Sequence, residues 1–115
     1  MTAPEPRLVT QLWVQAQVRL CDLYVIQMVV ARRGDPDAGA VLVRLVRGAG
    51  RNLVLSRHTQ IDGTSGWTAA AGGEALDDAA AEDFIAREVG RDPDLWVLDV
   101  DDPEDRYWPD RPIEA

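Results

Sequence analysis

Residues 7 to 23 constrain this chain more than any other stretch. Gln11, Gln15, Arg19 and Asp22 recur at spacings of four, four and three, which puts them on one narrow stripe of a helix. Leu8, Val9, Leu12, Trp13, Val14, Ala16, Val18, Leu20 and Cys21 take most of the remaining circumference. A sheet covers one side of a helix. An apolar arc this wide needs a second body, either another helix or another subunit. Trp13, Val14, Val18 and Cys21 are therefore candidate interface residues, and a homo-oligomer or a protein partner is expected.

The rest of the chain supplies the sheet. Tyr24 to Arg33 is rich in Val and Ile and predicts a first strand. Arg32-Arg-Gly-Asp-Pro-Asp-Ala-Gly39 is turn chemistry. Ala40 to Arg47 predicts a second strand, with Val41, Val43 and Leu45 on one face and Leu42, Arg44 and Val46 on the other. After Gly48-Ala-Gly50, a third strand runs from Asn52 to Thr59, and a short fourth from Gly66 to Ala70 holds Trp67. Turns between successive strands predict an antiparallel meander. Asp77 is a good N-cap for a second helix to about Val89, with Gly90 as its stop. Leu95 to Asp101 predicts the last strand, whose place in the sheet the pattern leaves open. The order α-β-β-β-β-α-β predicts an α+β fold: a mainly antiparallel sheet with both helices packed on one face.

A chain of 115 residues predicts one domain, large enough to form a core without disulfides or metal. Residues 1–6 read as a flexible start, 7–101 as the domain, and 102–115 as an acidic, Pro-containing tail. One Cys allows no internal disulfide. No apolar run reaches the roughly 18 residues of a membrane span, and Met1-Thr-Ala-Pro-Glu-Pro-Arg7 lacks the pattern of a signal peptide. A cytoplasmic location is expected.

Three stretches carry a resemblance: Trp13-Val-Gln-Ala16 with Arg19, Arg32-Arg-Gly-Asp with Asp37-Ala-Gly39, and Asp92-Pro-Asp-Leu-Trp-Val97. Together they are similar to the short alphaproteobacterial proteins known as domain of unknown function 1491. The resemblance spans Arg7 to about Asp101 and leaves the acidic tail outside. It implies a small cytoplasmic domain and brings no catalytic residue with it.

Charge is uneven. The chain carries −8 overall. Residues 1–31 are neutral; residues 32–73 hold six Arg against three Asp; residues 74–115 hold fifteen acids against four Arg. An acidic chain repels phosphate, which argues against a nucleic-acid partner. Arg44 and Arg57, on adjacent strands, are the residues a weak nucleic-acid binder would use, although those strands lack stacking aromatics.

Candidate chemistry is sparse. In the Arg32–Gly39 loop, Asp35 and Asp37 suit a hard cation and Arg32 and Arg33 suit an anion. The plainer reading is a loop whose Asp side chains cap its own backbone. Asp99 and Asp101 share a strand face and suit magnesium in a metal-assisted hydrolase, with Asp102, Glu104 and Asp105 following. The plainer reading there is a solvated strand end. His58, the only His, lies too far from Ser56 for a nucleophile–base pair. Cys21, near a helix C-terminus and beside Asp22, reads as core rather than as a reactive thiol. No residue set calls for a cofactor. The sequence thus favours a non-enzymatic module acting through association, with the metal or anion site as the alternative.

Overall fold

The computed structural model describes residues 9–59, 61–62 and 65–113. Helix α1 spans Thr10–Leu23 and α2 spans Asp78–Arg91. The strands are β1 (Gln27–Arg32), β2 (Val41–Val46), β3 (Asn52–Thr59), β4 (Ser65–Ala69) and β5 (Trp96–Asp101). A 3-10 turn over Ala70–Gly73 leads from β4 towards α2. The predicted α+β class and element order hold. Asp77 caps α2 by accepting a hydrogen bond from the Ala80 N–H. The helix passes through Gly90 to Arg91 and is closed by the Asp92 N–H on Glu88 O, so Gly90 is not the stop.

The sheet order is β1-β5-β2-β3-β4. β2, β3 and β4 form the expected meander, but β1 does not join it. β5 inserts between β1 and β2, antiparallel to the first and parallel to the second. Burial explains the insertion. Trp96, Leu98 and Val100 are buried on one face and Val97 on the other, so β5 has both faces covered over its first half and sits inside the sheet. β1 leaves Val29 and Val30 partly exposed, which suits an edge.

The sequence predicted both helices on one face, but they lie on opposite faces. Val14 and Cys21 of α1 pack with Val43, Leu45, Leu55, Leu98 and Val100. Ala81 of α2 packs with Leu42, Val54 and Leu95, flanked by Phe84, Ile85 and Val89. The alternation along β2 is apolar on both sides at Leu42 and Val43, and each side needs its own cover.

Residues 102–113 are not a solvated tail. Tyr107 and Ile113 belong to the α1-side core, and Asp102 and Pro109 are buried. Arg47 holds this segment: Nη1 donates to Asp102 Oδ2 (2.5 Å) and Nη2 to Tyr107 O (3.2 Å). Asp102 Oδ2 also accepts from the Arg106 and Tyr107 N–H groups. Tyr107 Oη donates to Gln17 Oε1 at 2.6 Å. Burial pushes its phenol far above the usual range, with Cys21 and then Asp110 adding to the effect. The second body that α1 requires is therefore the chain's own C-terminal segment.

Candidate functional site

The Arg32–Gly39 loop folds onto itself and its neighbours. Asp35 Oδ1 accepts the Asp37 N–H (2.8 Å) and the Ala38 N–H (3.3 Å), the self-capping turn that its composition suggests. Asp35 N donates to Asp94 O, and Trp96 Nε1 donates to Asp35 O at 2.7 Å. Arg32 Nη2 donates to Pro93 O, while its Nε is buried without a hydrogen-bond partner. Arg33 lies over the Trp96 ring, 5.8 Å from its centroid. The loop also caps α1: Thr10 Oγ1 donates to Gly39 O and Gln11 N to Pro36 O. α1 has no side-chain N-cap of its own, and Pro36 O stands in for one by accepting the Gln11 N–H, while Gly39 O fixes the Thr10 side chain. The loop does not gather Arg32, Arg33, Asp35 and Asp37 around one point; each serves a different neighbour, except that Asp37 faces a second cleft.

That cleft, about 470 Å3, brings together Asp37 and Arg57 beside Trp13 and Trp67. The two indoles stack at 5.5 Å with an interplanar angle of 22°. Both donate to one carboxylate: Trp13 Nε1 to Asp110 Oδ1 at 2.9 Å and Trp67 Nε1 to Asp110 Oδ2 at 2.8 Å. No sequence pattern links residues 13, 67 and 110, and this clamp was not legible before folding.

Asp99 and Asp101 share a face of β5, as expected. Asp99 sits opposite Arg44 in the register with β2. Burial raises its pKa, and the Arg44 charge works against that rise. Asp102 turns away to Arg47. Among the described residues, no three His, Cys, Asp or Glu side chains cluster as metal ligands would.

Arg44 and Arg57 do not form a patch. Arg44 shares a face with Leu42 and Val54, on the α2 side, whereas Arg57 shares one with Leu55, on the α1 side. Pairing of adjacent strands thus separates the two. Arg44 Nε donates to Asn52 Oδ1 and its Nη2 lies 3.4 Å from Asp78 Oδ1, so it ties β2 to the start of α2.

The four candidate interface residues divide. Val14 and Cys21 are buried within one chain. Burial, with Asp102 second, pushes the Cys21 thiol up to about 11, leaving it inert near neutral pH. Trp13 belongs to the indole clamp. Val18 is half-buried and lines a groove of about 630 Å3 between α1 and β1. The groove's apolar lining includes Val18, Ile26, Met28 and Val30; Gln15, Arg19, Asp22 and Arg33 supply polar lining. The α1 stripe of Gln11, Gln15, Arg19 and Asp22 therefore overlooks this groove. The side chain of His58 lies outside the described residues.

A family model for proteins of unknown function, DUF1491, matches residues 8–108. The chain belongs to this family. The match takes in Asp102 and Tyr107, so it extends past the limit at Asp101 read from the sequence. A crystal structure of a DUF1491 family protein from Caulobacter crescentus CB15 is 32% identical, covers 94% of this chain and all of its own, and superposes with a TM-score of 0.81. An NMR structure of a DUF1491 family protein from the same organism gives 32% identity, 94% and 97% coverage and a TM-score of 0.79. A solution structure of a protein from A. tumefaciens shares the fold at 22% identity, with coverage of 84% and 86% and a TM-score of 0.69. A search of curated proteins matches none. Among the described residues of this DUF1491 protein, no helix is long and apolar enough to cross a membrane.

Proposed function

We propose that this DUF1491 protein is a non-enzymatic cytoplasmic module that works by protein association, through the face formed by α1 and β1. Its support is the placement of exposed apolar side chains. Val9, Leu12, Leu23, Val25, Val29 and Val30 all fall on α1, β1 and their junctions, and of the described large hydrophobics only Ile61 is exposed elsewhere. Of the six only Val30 lines the groove and Val29 points to the other side of the sheet; together they give one edge of the molecule an apolar surface, and such surfaces mark association sites. The polar candidates, by contrast, mostly complete the fold: Asp35 caps its own turn, Arg32 binds Pro93 O, and Asp102 binds Arg47.

The competing reading is a metal or anion site at Arg32–Gly39 or at Asp99 and Asp101. Thermal unfolding in magnesium, manganese, calcium and phosphate compounds separates the two. The association reading expects an unchanged midpoint throughout. A saturable upward shift, abolished by Asp99→Asn with Asp101→Asn or by Asp37→Asn, would replace it with the ligand-site reading.

A further inference from the structure

We infer that a second copy of this chain fills the α1–β1 groove by adding its own β1 antiparallel to β1, so that two five-stranded sheets become one. This rests on the association reading above and names its partner.

β1 pairs with β5 on one side only and forms an edge of the sheet. Edge strands that stay single carry Pro, inward charge, Lys or a β-bulge; the register of β1 shifts only between Val30 and Arg32, which leaves residues 27–30 regular. Gln27-Met-Val-Val-Ala-Arg32 has no Pro, and no charge before Arg32. Val29 is 48% exposed and Val30 39%. Neighbouring residues of a strand point to opposite faces, so this apolar surface wraps both sides of the edge. Main-chain pairing would satisfy the outward N–H and C=O groups of β1, and the apolar groove floors of the two copies would become continuous.

One charge pair fits a second copy, in a lining that holds Arg19 and Arg33 against Asp22. The groove has Asp22 near the end where Ile26 and Gln27 enter β1, and Arg33 just beyond the other end. A two-fold axis reverses the strand, so Asp22 of each copy approaches Arg33 of the other, twice per dimer. Self-association also brings two chains of −8 together. Residues 1–31, which supply α1 and most of β1, are neutral, whereas residues 74–115 carry fifteen acids against four Arg. Meeting at β1 joins the part of each chain that repels its copy least.

The experiment is sedimentation equilibrium over a wide concentration range, paired with amide hydrogen exchange at its two ends. The expected result is a monomer–dimer equilibrium, with β1 amides exchanging more slowly in the dimer. Val30→Lys, at an exposed position, should weaken the dimer while leaving thermal unfolding of the monomer unchanged. Asp22→Arg and Arg33→Asp should each raise the dimer dissociation constant by about tenfold, the effect of two exposed ion pairs lost together. The two changes combined should restore it, a recovery that damage to the fold would not produce. A strict monomer, a dimer whose β1 exchange is independent of concentration, or failure of the charge swap to rescue would each overturn the inference. None of these results depends on the metal and phosphate scans, so pairing through β1 and the non-enzymatic reading can fail separately.

Discussion

Arg47 and Asp102 meet where β2 ends and the chain leaves β5, with Nη1 2.5 Å from Oδ2. The Asp102 side chain is 2% exposed and that of Arg47 11%. A second arm of Arg47 reaches the exposed Asp105 at 2.8 Å. The pair anchors residues 102–113 beneath α1 and so completes the core that the helix requires.

Removing Asp102 takes from Arg47 its one buried carboxylate. Asp102→Ala should cost about 3 kcal/mol, read by denaturant unfolding, because it takes the carboxylate from Arg47 Nη1 and from two backbone N–H groups, leaving Arg47 only Tyr107 O, Asp102 O and the exposed Asp105. Limited proteolysis should then cut the C-terminal segment, which wild type protects. A loss below about 1 kcal/mol, the value of a surface pair, would show that the segment is held by Tyr107 and Ile113 alone.

Val25 closes α1 in a left-handed conformation, with φ at 58°. Its N–H reaches Asp22 O, and the Ile26 N–H reaches Cys21 O, the closing pattern in which Gly usually sits. A β-branched residue is strained there, and at 92% exposure its side chain gains little packing in return. Val25→Gly should therefore stabilise the protein by about 1 kcal/mol, measured as a rise in melting midpoint.

Gly34 lies against the β5 approach so closely that a Cβ would stand 2.1 Å from Asp94 O and 2.6 Å from the Trp96 ring. Gly34→Ala should destabilise by about 2–4 kcal/mol, since backbone must move to admit the methyl. A neutral result in calorimetry would mean that the Arg32–Gly39 loop stands open rather than packed.

The pH dependence follows from Asp99. Burial raises its pKa in the folded state, so the fold favours the protonated acid. Its contribution is fully present below the unfolded value near 3.9 and is lost as pH rises through the folded value. Asp99→Asn should thus raise the melting midpoint at pH 7, with the gain vanishing below about pH 4. A destabilised variant at pH 7 would mean that the Arg44 charge outweighs burial.

Elements were legible in the sequence to the extent that they depend on neighbours. Asp77 announced α2, Gly48-Ala-Gly50 announced the β2–β3 hairpin, and the narrow stripe of Gln11, Gln15, Arg19 and Asp22 announced α1 and its need for a second covering body. The three stretches that mark the DUF1491 family were readable in the same way. The candidate site was less so: of the four interface candidates Val14 and Val18 line the groove, while nothing in the sequence singled out the polar stripe or β1 as its walls.

What only the tertiary structure decided is which distant parts meet. Acids and prolines made residues 102–115 read as solvated, because composition does not reveal that Arg47 neutralises Asp102 or that Gln17 receives Tyr107. Strand parity is local, but the face each strand turns to a given helix depends on pairing. Pairing put β5 between β1 and β2, set the helices on opposite faces and parted Arg44 from Arg57. Local chain stereochemistry and periodicity can be read along a sequence; contacts across sixty or ninety residues depend on how burial of the whole chain is satisfied at once.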